Sequence, residues 1–89
     1  MPKSEIILFE TLPNRHRLRL FTKQESMEFT SSLADIEKLD PSFIRCHKAY
    51  VVNWMNVVRI DKSQKLIHLL EGHSCPVSRQ QYKKILEMY

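Results

Sequence analysis

Residues 43–54 read FIRCHKAYVVNW, and the fold follows from what these positions form. The run AYVVNW is β-branched and aromatic enough for a strand inside a sheet. Directly before it stand Arg45, Cys46, His47 and Lys48, four polar or reactive side chains in a row. Such a quartet could serve a catalytic cluster, a metal site, a nucleic-acid contact or a solvated loop. Downstream, Asn56 separates the run from VVRID, the polar KSQK at 62–65 turns into LIHLL, and Gly72, the one glycine of the chain, marks the next turn. The SCPV that follows is short, and Pro76 within it asks for an edge strand or a bulge.

Working back towards the N-terminus, EIILFET at 5–11 reads as a buried strand that stops at Pro13-Asn14. RLRLFT at 17–22 alternates, with Leu18 and Leu20 on one face and Arg17 and Arg19 on the other, so it predicts a half-exposed strand with a basic outer face. The two runs predict a hairpin with His16 near its tip. SMEFT at 26–30 reads as a third short strand. Ser32 then suits an N-cap, with Asp35 three residues on and Phe29, Leu33 and Ile36 at helical spacing, which predicts a helix over 32–38 ended by Asp40-Pro41. At the other end Ser78 caps RQQYKKILEMY, where Tyr82, Ile85, Leu86 and Tyr89 share one helical face. The expected fold class is mainly β: stacked antiparallel sheets with one short internal helix and a C-terminal helix, a single domain over residues 1–89.

Composition sets outer bounds. The chain has 89 residues, 43% hydrophobic and 27% charged, which suits one small globular domain and is too apolar for a disordered chain. Apolar runs such as Ile6 to Phe9 fall far short of the roughly 20 residues that cross a bilayer, and MPKSE lacks a signal-peptide core, so the expected location is cytoplasmic. Cys46 and Cys75 are too few for a disulfide scaffold and suit a reducing compartment. The formal net charge of +4 inclines the chain towards polyanions, and placement matters more than total: Arg15, His16, Arg17 and Arg19 cluster, as do Arg45, His47 and Lys48.

Each reading of the quartet meets its chemistry. Cys46 and His47 are neighbours on a strand and point to opposite faces, so they make a poor nucleophile and base, and no glycine-rich oxyanion loop accompanies them; an enzyme is not expected. His73 and Cys75 stand at i and i+2 and could chelate an ion, but no spacing matches a zinc pattern, and no metal or other cofactor is expected. Phosphate-cradling glycine loops are absent from the sequence. Nucleic-acid binding gathers more support, because residue types that neutralise phosphates and read base edges concentrate at three connections: RHR at 15–17, RCHK at 45–48 and SRQQ at 78–81. Ser78 and Arg79 fall where a helix begins, and free amides there favour a phosphate. From the residues alone, three solvated polar loops remain an open alternative.

FIRCHKAYVVNWMNVVRI, followed after a turn by a strand ending in PVSR, resembles the LytTR family of bacterial DNA-binding domains. ILFET, HRLRL and LADIEKL match the family's earlier elements in order, so the resemblance covers nearly the whole chain. It implies a LytTR-like β sandwich that serves as the DNA-binding output domain of a response regulator in a two-component system and reaches double-stranded promoter DNA with loops. Carried over residue by residue, the contacting positions are His16 and Arg17, then Arg45, His47 and Lys48, then Ser78 and Arg79 with Gln80 beside them. Arg17, Arg45 and Ser78 are expected on phosphates; His16, Lys48 and Arg79 are expected on base edges. The resemblance further implies paired direct repeats as the target, a monomer when free and a dimer on DNA. A further strand usually precedes the ILFET equivalent, and a receiver domain commonly precedes that; residues 1–89 contain neither. Lys48 stands where other members often carry a small polar residue, Asn or Arg. Strand parity sends Cys46 away from Arg45 and His47 and so predicts its partial burial; Cys75 also lies near a contacting segment and is expected within its reach, which makes the two a candidate redox pair whose disulfide would distort the loops. The competing expectation is a protein-interaction module that docks an acidic partner, with a metal at His73 and Cys75. RNA binding has only Trp54 and Tyr89 as stacking candidates, and both are expected in the core.

Overall fold

Val51 and Val52 sit side by side with no exposed surface, and they face opposite ways into two different apolar clusters. That two-sided burial is what a continuous apolar run dictates when a sheet is covered on both faces. The structure, a computed structural model, describes residues 2–14 and 16–89. Arg15, part of the basic cluster at 15–17, lies outside the described residues.

Five strands, β1 (Ile6–Thr11), β2 (Arg17–Thr22), β3 (Ser26–Thr30), β4 (Phe43–His47) and β5 (Tyr50–Asn53), form one antiparallel sheet in the order β3-β2-β1-β5-β4. Three more, β6 (Val57–Asp61), β7 (Leu66–Leu69) and β8 (Ser74–Pro76), form a second in sequence order. Helix α1 (Leu33–Leu39) covers one face of the first sheet, where Leu33 and Ile36 meet Phe9, Leu18, Leu20, Phe43 and Val51. Between the sheets lies the other cluster, with Ile7, Val52, Ile60, Ile67 and the fully buried Ile85 of helix α2 (Arg79–Met88).

The hairpin of β1 and β2 is present, with Phe9 opposite Leu20. Leu18 and Leu20 are buried as the alternation predicts. The outer face of β2 is not a free basic surface, however. The Arg19 guanidinium donates to Glu28 at 2.9 Å and to Glu10 at 3.5 Å, acids that the neighbouring strands set on the same face. Arg17 donates to Thr30 Oγ1 at 3.1 Å and lies 3.9 Å from Glu28. Cross-strand partners decide this, and local alternation cannot reveal them.

Ser32 caps α1, its Oγ accepting from the Asp35 amide at 3.2 Å, and Asp40 leaves the helix in an extended conformation before Pro41. Ser78 holds the N-cap position of α2 but caps with nothing from its side chain. Its own carbonyl takes the Gln81 amide at 3.1 Å, and its amide donates to the Cys46 carbonyl at 2.9 Å, which fastens the start of α2 to β4. Trp54 packs against the inter-sheet core as expected, but Tyr89 is 62% exposed. It follows the last turn of α2, beyond the reach of the core that Ile85 enters.

The AYVVNW strand is shorter than its composition suggests. Asn53 is the last strand residue, and Trp54–Asn56 wind into a single 3-10 turn. Asn53 Oδ1 accepts from the Met55 amide, and its Nδ2 donates to the carbonyls of Lys3 and Ile6 at 3.0 and 2.8 Å. Asn56 Nδ2 reaches Ser4 and Ile6 in the same way. Two buried amides thus hold the segment that leads into β1. Among the described residues, no helix is long and apolar enough to cross a membrane.

Candidate nucleic-acid interface

The polar quartet is split by the sheet. Arg45, Cys46 and His47 belong to the edge strand β4, and only Lys48 enters the turn to β5. A bulge between Arg45 and His47 interrupts the register with β5. Cys46 has no exposed surface, and its Sγ lies 3.3 Å from Sγ of Cys75, also buried, with neither in a disulfide. The hydrogen bond with Cys46, together with burial, pushes the Cys75 thiol far above its ordinary range. This geometry removes Cys46 from His47 as a catalytic partner and leaves the outer side of the turn to Arg45, His47 and Lys48.

His47 is held in one tautomer. Its Nδ1 accepts from the Ala49 amide at 3.1 Å, so the neutral ring carries its proton on Nε2 and offers a donor outward. The ring also lies 5.5 Å from that of Tyr50. The Arg45 Nε donates to the His47 carbonyl at 3.1 Å, its Nη2 to the Lys48 carbonyl at 3.4 Å, and its Nη1 to Glu37 at 2.7 Å. Lys48 is exposed at the apex.

A cleft of about 480 Å³ gathers Arg45, His47 and Lys48 with Ser78, Gln80, Gln81 and Lys84 of the α2 segment and with Glu37 of α1. The Ser78 to Cys46 backbone bond brings these distant segments together. A second cleft of about 340 Å³ runs between the β1–β2 tip and the start of α1, lined by His16, Arg17 and, from its other side, Arg45. His16 is exposed there with φ +57, a left-handed turn conformation, and its carbonyl accepts from Ser31 at 2.9 Å. Arg79 is exposed at the first position of α2 and lines neither cleft. Seven of the eight expected positions therefore line two adjoining clefts that share Arg45.

These observations decide what kind of domain this is, because the LytTr DNA-binding domain pattern matches residues 1–89 in full. The chain belongs to the LytTR DNA-binding domain family. A solved LytTr DNA-binding domain of a putative methyl-accepting/DNA response regulator from Bacillus cereus superposes with a TM-score of 0.79 at 26% identity, covering 99% of this chain and 83% of the other. Accessory gene regulator protein A of Staphylococcus epidermidis is 32% identical over 81 residues, which is 91% of this chain and 34% of that protein. The same protein from Staphylococcus aureus matches equally. The chain spans about a third of the length of these relatives.

Within this LytTR domain the remaining candidates separate. His73 and Cys75 do not form a chelating pair: the Cys75 thiol faces Cys46 in the core, and the His73 ring lies 5.0 Å from Phe21. His73 precedes β8 instead of lying in it, so the shared strand face assumed from i and i+2 spacing does not exist. No group of three or more His, Cys, Asp or Glu among the described residues could hold a metal ion. Lys84 and Glu37 line the main cleft and were not singled out by sequence, whereas Gln81, which lines it too, ends the SRQQ connection. For Lys84 the signal was present, since it stands four residues after Gln80 and three after Gln81 along the same helix. Nothing local marks Glu37.

Proposed function

We propose that this LytTR domain binds double-stranded promoter DNA sequence-specifically and is the DNA-binding output part of a bacterial response regulator acting in the cytoplasm. The target is a pair of direct repeats, each engaged by one copy, with a domain that is monomeric when free. The observation that carries this reading is the convergence of His47 and Lys48 with Ser78, Gln80, Gln81 and Lys84 on one cleft, beside a second cleft bearing His16 and Arg17. Backbone amides and cationic side chains hold phosphates, and His, Lys, Gln and Arg donors read base edges. Arg79 projects from the same helix start and extends the contact.

The test is to titrate the isotope-labelled domain with a duplex enriched from a random pool and follow its amide signals. Shifts concentrated at residues 16–17, 45–48 and 78–84 are expected. Shifts centred instead on β6 and its exposed Val58 would contradict the assignment.

Cys46 and Cys75 are the candidate redox pair of this domain. A peroxide would accept two electrons from the two thiols, its O–O bond breaking to give two waters as the Sγ–Sγ bond forms. Joining β4 to β8 would alter the turn that carries His47 and Lys48. Peptide mapping after peroxide treatment should find this one disulfide and weaker DNA binding, and thiols that stay reduced after prolonged exposure would refute it.

A further inference from the structure

We infer that Arg45 works as a positioning residue braced by Glu37, and that it acts on DNA through the turn bearing His47 and Lys48. The inference rests on the DNA-binding reading of this cleft and assigns a role within it. Three of the five guanidinium donors are engaged inside the protein: two on the carbonyls of His47 and Lys48, and one on Glu37 Oε2 at 2.7 Å, the shortest of the three. A planar fork can bridge two carbonyls and a carboxylate at once, whereas a lysine ammonium on a flexible stem is a point charge. The turn needs such a brace, because it follows a bulge on an edge strand and the bulge leaves the ladder interrupted between Arg45 and His47.

Glu37 makes the reading specific. It is the one carboxylate lining the cleft among the described residues, and an unneutralised acid there would repel the phosphates the cleft is built to receive. Its pairing with Arg45 cancels that charge and fixes the guanidinium from the side of α1. The chain of contacts then runs from Arg45 to the turn carbonyls, from the Ala49 amide to His47 Nδ1, and from the Ala49 carbonyl to the Thr11 amide at 3.0 Å, which ties the turn to β1. The Nε2 donor of His47 and the ammonium of Lys48 are aimed by this lattice.

Two measurements on Glu37→Gln and Arg45→Lys test it. Without DNA, hydrogen exchange at the Ala49 amide should speed up about tenfold in both variants, while exchange at the core residue Ile67 stays unchanged. With a duplex enriched from a random pool and a scrambled duplex of the same length, both variants should lose about tenfold in affinity for the enriched duplex alone. The salt dependence should keep its slope, since no phosphate contact is removed. If Arg45 instead grips a phosphate, Arg45→Lys will bind nearly as the parent does and Glu37→Gln will tighten binding to both duplexes; either result overturns the inference. Unchanged exchange at Ala49, or faster exchange with unaltered discrimination, overturns it as well. Should no duplex enrich at all, the DNA-binding reading fails while the exchange result still decides whether the brace exists.

Discussion

Asn53 shows how much one side chain can settle. With no exposed surface it binds Lys3, Ile6 and Met55 backbone groups, so replacing it by alanine removes three hydrogen bonds at once and leaves a space where the buried amide stood. Asn53→Ala should cost about 2–4 kcal/mol, read from denaturant unfolding, and a cost under about 0.5 kcal/mol would show that the N-terminal segment is not held this way. The valine-asparagine pair was visible in the sequence, but two of the asparagine's partners, Lys3 and Ile6, lie near the N-terminus, so its role as a clasp was not. Strand parity, by contrast, gave the burial of Leu18, Leu20 and Cys46 directly, because it needs only the local backbone. Cys75 carries a pH consequence. Its thiol is held above the ordinary range, so the folded state keeps a proton that the unfolded chain releases above about pH 8.5. The stability this contributes is complete below that pH and is lost as pH rises towards the folded value. Thermal midpoints should fall on the alkaline side, and Cys75→Ala should flatten that fall; an alkaline limb identical in both proteins would contradict the assignment.

Elements were legible where periodicity and caps agree. The β1–β2 hairpin, α1 with its Ser32 cap and the chain of short strands after residue 43 all follow from local signals. The boundaries that moved did so for tertiary reasons. β5 ends at Asn53 because that side chain turns to bind the N-terminal segment, and Ser78 gives up side-chain capping while its backbone joins β4. The β6–β7 turn is closed by Asp61, whose Oδ1 accepts from the Ser63 amide and hydroxyl and from the Gln64 amide. The Ser63 hydroxyl foremost, then the Gln64 amide, holds the Asp61 carboxyl below the usual carboxylate range. Asp40 is lowered in the same direction, by the Ser42 amide first and Lys3 next. A depressed folded value contributes stability above the unfolded pKa of about 3.9, which is lost as pH falls through the folded value. Asp61→Asn should therefore shallow the loss of thermal stability between about pH 4 and pH 2. An acid limb unchanged in this variant would remove the turn from the account.

On the scale of the whole molecule, the cleft is assembled from segments that the sequence keeps about thirty residues apart, and a single backbone bond between Ser78 and Cys46 joins their ends. The basic connections were recognisable one by one, because residue type alone is enough to single them out as candidates for phosphate or base contact. Their convergence was not, since it depends on β4 being an edge strand beside the start of α2. Nor was the internal pairing of Arg17, Arg19 and Arg45 with acids, which moves the exposed cationic character towards Lys48, Arg79 and Lys84. The count of basic residues therefore overstates what is available to a polyanion, and specific contacts should dominate over diffuse attraction. The measurement that bears most directly on this is selection from random duplex DNA, followed by titration of the enriched site and a scrambled control at two salt concentrations. The account predicts a short repeated motif bound at least about a hundredfold tighter than the control at both salts. Weak binding without enrichment, abolished by salt, would mean that the clefts supply electrostatics alone and would contradict it.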